Sequence, residues 1–187
     1  MSAICERHRS GPAARVAARL GGRIPSLDTR RLQLRGPRVY DFDAYAGILC
    51  SKRAEHMGGP FSRARAWADF TNHTALWLLH GHGLWTIDAQ TRPSAGFVLL
   101  GFDFHDTEPM LTIILSAEAE GQGYGEEAMI AVRDHAFGEL AWDSVLSAVA
   151  MENERARKLM RKLGAKRDAR AEEALGDETR CLYRHRK

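Results

Sequence analysis

The segment Gly121-Gln122-Gly123-Tyr124-Gly125 places glycines at alternating positions between a predicted strand and a predicted helix. Alternating glycines let the backbone turn so that several amides point at one spot, which the N-terminus of the following helix also faces. The pattern therefore predicts a site for a phosphate group. It matches neither a P-loop, which needs Gly-Lys-Ser/Thr, nor the Gly-x-Gly-x-x-Gly of dinucleotide-binding folds. A tight strand-to-helix connection also needs glycine, so the motif alone leaves a purely structural role open.

Histidines and cysteines are the other candidates for site chemistry. His73, His80 and His82 are close in sequence, but their spacing fits neither a helix face nor a hairpin, and we expect no metal site. The three cysteines are widely separated and form no Cys-x-x-Cys pair. This pattern predicts neither a disulfide framework nor a zinc ribbon, and it indicates a reducing compartment.

Hydrophobic periodicity predicts the elements that position the glycine-rich segment. A strand over 110–115 leads into it, and a helix over 125–138 follows. A strand over 144–151 comes next, and then a helix that begins at Asn153 and stops at Gly164.

The sequence before this segment predicts a strand over 31–34, a helix capped by Asp41 or Asp43, and a second helix over 67–76. A hairpin of strands 84–88 and 96–104 follows, and a last strand is predicted over 179–185. No internal repeat interrupts this order. We therefore predict one α+β domain with a mostly antiparallel sheet.

Composition narrows the class of protein. The chain has 187 residues, 44% hydrophobic and 27% charged, which is typical of a globular protein. No apolar run approaches the about 20 residues that a membrane span needs. No apolar segment of a signal peptide follows the first arginines. We therefore expect a cytoplasmic protein that does not bind membranes.

The net charge of +3 is unevenly distributed, since residues 1–23 hold five arginines against one acid, Glu6. We predict that residues 1–23 form a flexible basic tail and that residues 24–187 form the folded domain. No aromatic residue in the tail could stack on bases, so we do not expect nucleic acid as a partner, although docking onto a polyanion stays open.

The glycine-rich segment resembles the acyl-CoA-binding motif of the GNAT superfamily of N-acetyltransferases. Gly121-x-Gly123-Tyr124-x-x-Glu127-Ala128 is similar to the Gly-x-Gly-Tyr-Ala-Thr-Glu-Ala form of its RimJ/RimL-like branch. The resemblance extends from about residue 27 to the C-terminus, with further blocks in the family's order. These blocks are Thr29-Arg30-Arg31-Leu32-Gln33-Leu34-Arg35, Gly58-Gly59-Pro60, Trp77, Gly81-His82-Gly83-Leu84-Trp85 and Asn153-x-x-Ala156-x-x-Leu159-x-x-Lys162-Leu163-Gly164.

The resemblance implies a GNAT-like mixed, mostly antiparallel sheet with splayed central strands, flanked by helices. Acetyl-CoA would bind in the cleft between strands 110–115 and 144–151. Amides of the glycine-rich segment would hold the pyrophosphate, and free peptide groups of the splayed strand would bind the pantetheine. The implied cofactor-binding residues are Ile113, Ile114, Leu115, Glu120, Gly121, Gln122, Gly123, Tyr124, Gly125, Glu126 and Asn153.

Two carboxylates near the motif oppose an anionic ligand. Glu118 stands where the family prefers Arg or Gln, and Glu120 follows closely. We expect both side chains to point into water. Asn153 is expected to cap its helix whether or not it also contacts the cofactor.

The expected catalytic groups depart from the family pattern. Met110 stands where the branch often has a strand glutamate, and Ala156 stands where it has a serine. Glu108 and His105 lie just before this strand and could act as the base through a water. The alternative for both is a solvated hairpin tip.

A site without a strong base favours weakly basic acceptors. Deprotonating a lysine-like amine at pH 7 costs about 4.6 kcal/mol, and an α-amine costs about 1 to 1.4 kcal/mol. The resemblance implies transfer of an acetyl group from acetyl-CoA to a primary amine, on a small molecule or a protein N-terminus. The alternative is a non-catalytic acyl-CoA-binding module. Trp85 and Phe104 are the candidates for the acceptor pocket, and a homodimer is left open.

Overall fold

Within residues 3–187, which the computed structural model describes, eight strands form one sheet in the order β1-β2-β3-β4-β5-β6-β8-β7. The strands are β1 (Leu27–Asp28), β2 (Leu32–Arg35), β3 (Leu84–Ala89), β4 (Arg92–Gly101), β5 (Met110–Leu115), β6 (Ser144–Ala150), β7 (Lys166–Arg167) and β8 (Arg180–Arg186). All neighbours are antiparallel except β5 and β6, which are parallel. The predicted α+β class with a mostly antiparallel sheet is confirmed.

Helices cover both faces of this sheet. They are α1 (Pro12–Gly21), α2 (Phe42–Leu49), α3 (Arg63–Leu79), α4 (Tyr124–Gly138), α5 (Glu154–Lys162) and α6 (Ala169–Leu175). Short 3-10 helices lie at Ile4–Glu6, Val39–Asp41, Lys52–Met57 and Ala117–Ala119.

Alternation along the strands divides the core into two layers. In β4, Phe97 packs with Phe42 and Phe70 of α2 and α3. The next residue, Val98, belongs to the opposite layer, with Val132 of α4. β5 therefore lies between two packed layers, which position its peptide groups.

Local signals account for most elements, but the hairpin strand β4 ends earlier than predicted. It stops at Gly101, so Phe104 lies in the β4–β5 loop. The amide of Asp103 donates to Asp106 Oδ2 (2.8 Å) and closes a turn there. Aspartate side chains that accept hydrogen bonds from nearby backbone amides favour turns over strands.

The N-terminal segment differs from the predicted flexible tail. Residues 12–21 form α1, which begins at Pro12 and is rich in alanine. Proline in the first turn and alanine throughout both favour a helix. Glu6 also forms an ion pair with Arg63 of α3 (2.9 Å), which connects the segment to the domain.

Candidate functional site

The parallel strands β5 and β6 separate soon after they meet. Their backbone pairing is confined to Met110 and Leu146, where the Leu146 amide donates to Pro109 O (2.9 Å). One residue further, the Ser147 hydroxyl, not an amide, donates to Leu111 O (2.6 Å). Both strands continue, to residues 115 and 150, without further pairing among the residues described. The predicted splay is confirmed.

The direction of the peptide groups decides which residues of β5 face the gap. The carbonyls of Pro109 and Leu111 both point towards β6. Because peptide groups alternate along a strand, those of Ile113 and Leu115 face the gap too. Ile114 pairs with Phe97 of β4. By the same alternation its peptide groups face β4 and not the gap, and its contact with the cofactor stays a prediction.

The loop that follows β5 presents unpaired amides. Gly121 (φ +72°) and Gly123 (φ +78°) adopt the left-handed conformation, in which a side chain is strained. Within residues 3–187, the amides of residues 121–126 donate no hydrogen bond to the protein. The first amides of α4, from Tyr124 onward, belong to this set. The glycine-rich segment thus provides a backbone anion site at a helix N-terminus.

Arg31 of the β1–β2 connection holds this loop through hydrogen bonds. Its Nη1 donates to Gln122 O (2.7 Å), and its Nε donates to Glu127 Oε2 (2.7 Å). Glu127 also accepts from the Thr29 hydroxyl (2.6 Å), and the guanidinium lies 4.9 Å from the Tyr124 ring centroid. The sequence did not predict this contact. Arg31 and Glu127 each lie in a motif block, but nothing in either block indicates that the two side chains meet.

The two glutamates near the loop behave differently. Glu118 is exposed, as expected. Glu120 is not directed into water, because it bridges Arg53 of the Lys52–Met57 segment and Arg155 of α5. Arg53 Nε also donates to Leu115 O (3.1 Å) at the open end of the gap. Two arginines thus offset the negative charge of Glu120 at this corner.

Comparisons with known proteins agree with this geometry. The acetyltransferase (GNAT) domain family matches residues 31–166. The chain belongs to the GNAT acetyltransferase family. An acetyltransferase from Agrobacterium tumefaciens is 32% identical over 88% of this chain and 95% of its own, with a TM-score of 0.82.

Two more distant structures share the fold. RimL, a ribosomal-protein alpha-N-acetyltransferase in complex with coenzyme A, has 14% identity, covers 87% of this chain and 98% of its own, and has a TM-score of 0.69. The microcin C7 self-immunity acetyltransferase in complex with acetyl-CoA and AMP has 12% identity, 85% and 94% coverage, and a TM-score of 0.65. No curated protein sequence is significantly similar to the chain.

GNAT acetyltransferases use acetyl-CoA, and the residues present fit it. Unpaired loop amides and the guanidinium groups of Arg53 and Arg155 suit a pyrophosphate. The gap-facing peptide groups of Ile113 suit the amides of a pantetheine arm. Asn153 caps α5, since its side chain accepts from the Ala156 amide (3.0 Å). The cap is confirmed; contact with the cofactor stays a prediction.

Glu108 is poorly placed to act as the base of this GNAT protein. Both of its carboxylate oxygens accept from Arg184 (2.6 and 2.9 Å), which also binds Asp168. The bond from Arg184 lowers the pKa of Glu108 below its usual value. A lowered pKa makes a carboxylate a weaker proton acceptor. The neighbouring His105 is exposed and stacks edge-on against Phe104 (5.2 Å).

The two aromatic candidates for the acceptor pocket have opposite environments. Trp85 is fully buried, and its indole donates to Pro25 O (2.8 Å). It is therefore a core residue, which corrects the prediction. Phe104 is 96% exposed and lines a cavity beside α3. Sequence spacing could not separate the two, because aromatics occupy core and pocket positions alike.

The described residues hold neither a group of metal ligands nor a membrane-spanning helix. Within the described part of the chain, 3–187, no group of three or more His, Cys, Asp or Glu side chains could hold a metal ion. His82 is buried, and its Nδ1 lies 2.9 Å from Leu100 O. No helix in the same range is long and apolar enough to cross a membrane.

Proposed function

We propose that the protein is an N-acetyltransferase that moves the acetyl group of acetyl-CoA to a primary amine. The observation that carries this proposal is the set of unpaired amides at residues 121–126, next to the gap between β5 and β6. These features supply a binding site for the phosphates and for the arm that presents the thioester.

The reaction is a direct attack. The neutral amine nitrogen bonds to the thioester carbonyl carbon, the carbon–sulfur bond breaks, and coenzyme A leaves as a thiolate. The amine proton passes to solvent, and water protonates the thiolate. A gap-facing amide of the 112–115 segment, that of Ile113, would polarise the thioester carbonyl. Positioning of the two reactants supplies the rest of the acceleration.

The acceptor would be an amine whose deprotonation at neutral pH costs little free energy. Glu108 is held by Arg184, Met110 has no proton-accepting group, and Ala156 has no hydroxyl. A site of this composition suits α-amines of proteins or small molecules and aromatic amines better than lysine-like amines. The motif resemblance to the RimJ/RimL-like branch supports a protein N-terminus as one such acceptor.

The departures from the family pattern at Met110 and Ala156 favour a second candidate, a non-catalytic acyl-CoA-binding module. It would use the loop amides and the gap in the same way but would leave the thioester intact. Turnover separates the two functions.

The test combines calorimetric binding of coenzyme A with thiol release from acetyl-CoA in the presence of α-amines, aromatic amines and lysine-like amines. Cys5 and Cys50 are exposed and react with thiol reagents, so mass spectrometry of the acetylated amine is the better readout. We expect acetylated product, fastest with the α-amines and aromatic amines. Tight binding of coenzyme A with no product from any amine would leave the binding module as the function.

A further inference from the structure

A cavity of about 480 Å³ lies between α3 and the β4–β5 loop. Its walls are made of four kinds of group: carboxylates, aromatic or imidazole rings, a carboxamide and an aliphatic side chain. The residues that line it are Asn72, His73, Leu76, His80, Phe102, Asp103, Phe104 and Asp106.

The cavity adjoins the closed end of the gap between β5 and β6. Leu76, in its wall, lies so close to Gly101 that a Cβ there would come within 2.7 Å of it. Gly101 pairs with Met110, which is the residue of β5 that also pairs with β6. Adjacent strands are about 4.8 Å apart. One wall of the cavity therefore packs on β4 next to the residue of β5 where the gap begins.

One carboxylate in the cavity, that of Asp103, is charged and hydrogen-bonded, with a side chain that is 78% exposed. His73 Nε2 lies 3.3 Å from Asp103 Oδ1, and an ionised carboxylate can only accept, so the imidazole donates. This hydrogen bond lowers the pKa of Asp103 and keeps it ionised at neutral pH. Tyr45 Oη lies 3.5 Å from the other ring nitrogen of His73. Within residues 3–187, Asp103 Oδ2 accepts no hydrogen bond, so it is available to a ligand.

The aromatic wall is solvent-accessible rather than buried. Phe104 is 96% exposed, and Phe102 contacts the His80 ring edge-on, 5.0 Å between centroids. An exposed aromatic ring beside a carboxylate can contact both the apolar body and the charged head of an ammonium ligand.

We propose that this cavity binds the acceptor, and that the acceptor is a primary amine with an aromatic or other apolar body. Asp103 Oδ2 receives the amine in its ammonium form, which loses a proton to solvent before it attacks, and Phe104 covers the apolar body. The inference rests on the proposed function, since it names the substrate class of that same site, but amine binding can be measured without turnover.

The experiment measures binding of three probes to the protein saturated with coenzyme A, by calorimetry. 2-Phenylethylamine has both the charge and the ring, butylamine lacks the ring, and 2-phenylethanol lacks the charge. We expect 2-phenylethylamine to bind at least about tenfold more tightly than either of the others.

Two variants locate the binding. Asp103→Asn removes the charge while keeping the shape, and we expect it to weaken 2-phenylethylamine about tenfold without changing 2-phenylethanol. Phe104→Ala truncates an exposed ring, so it leaves the fold intact, and we expect it to weaken 2-phenylethylamine but not butylamine. The matched controls are Asp134→Asn, an exposed aspartate of α4, and Leu78→Ala, an exposed apolar residue of α3 outside the cavity wall.

The outcomes separate the two proposals. Binding of 2-phenylethylamine that Asp103→Asn and Phe104→Ala weaken, with no acetylated product from any amine of the panel described above, supports an amine site in the cavity and overturns the N-acetyltransferase function. Product formation with all four variants binding the amine alike overturns the cavity and leaves the function. Failure of 2-phenylethylamine to bind the wild-type protein also overturns the cavity.

Discussion

The two ends of the cleft between β5 and β6 are built from different parts of the chain. At the open end, the candidate contacts are backbone amides of residues 121–126 and peptide groups of β5. At the closed end, the cavity is lined by side chains of α3 and the β4–β5 loop. Every residue offers the same amide, so affinity at the open end depends on backbone conformation. Affinity at the closed end depends on which side chains are present.

The largest expected effect tests the open end through conformation alone. Gly121→Ala adds a methyl group where no atom lies within 4 Å, so only the backbone strain at φ +72° changes. Left-handed conformation costs an L-residue about 1–2 kcal/mol. The loop will relax and turn its amides away, and we expect the KM for acetyl-CoA to rise at least about tenfold, since about 1.4 kcal/mol is tenfold.

The matched control is Gly176→Ala, which has the same kind of strain (φ +67°) at the end of α6. It should lower stability by a similar amount and leave the KM unchanged. Equal KM values for the two variants would show that the conformation of Gly121 does not matter to the cofactor.

A smaller effect is expected when the loop loses its support. Arg31→Ala removes the bonds to Gln122 O and Glu127, at a side chain that is 40% exposed. We expect the KM for acetyl-CoA to rise about fivefold with kcat unchanged, which corresponds to about 1 kcal/mol. Steady-state kinetics beside the exposed neighbour variant Arg30→Ala measures this. A fall in kcat alone contradicts a role in cofactor binding.

Acid should lower the stability of the protein through His185, which lies where β5 and β6 separate. His185 is buried against the Ser147 hydroxyl (3.1 Å), and burial, with the nearby charge of Arg133, lowers its pKa to about 4. The unfolded imidazole titrates near 6.5. Unfolding therefore takes up a proton between these values, and stability falls as the pH drops from about 6.5 towards 4.

Urea unfolding at several pH values measures this dependence. His185→Gln should flatten it, because the amide can still donate to Ser147 but does not titrate in this range. The exposed His8→Gln is the control and should keep the wild-type slope. An unchanged slope in His185→Gln would assign the acid sensitivity to other groups.

The smallest effect is expected at the predicted base. Loss of a general base lowers rates about 10²- to 10⁴-fold. Glu108 is bound to Arg184, and we expect Glu108→Gln to change kcat less than about twofold. A pH–rate profile of both proteins decides the matter. An acidic limb, in which the rate falls as the pH drops, that disappears in the variant restores Glu108 as the proton acceptor.

Sequence patterns predicted the elements whose signals are local. The bounds of β5 were predicted exactly, and the helix after the glycines was placed within one residue, because the apolar run and the glycines mark them directly. β1 and β7 were missed, since two-residue strands carry no periodicity. α1 and α6 were also missed; neither buries a residue in the core, and α1 lies in a segment whose five arginines had predicted a flexible tail.

The sequence predicted the parts of the candidate cofactor site that are made of backbone, and it missed the contacts between side chains. The glycines and the splay came from the motif, whereas the partners of Glu108, Glu120 and Asp103 are more than 25 residues away in sequence. Such long-range pairs leave no local pattern. Trp85 shows the same limit, since its burial depends on packing between β3 and α3 rather than on its neighbours in the chain.

The backbone character of the glycine-rich loop has an evolutionary consequence. Most mutations alter a side chain and leave the peptide amide in place, so a diphosphate site made of these amides would tolerate drift at nearly every position of the loop. Selection is then expected to act mainly on the two glycines whose positive φ strains any residue with a β-carbon. A lineage can therefore exchange one acceptor for another many times while it keeps the same donor.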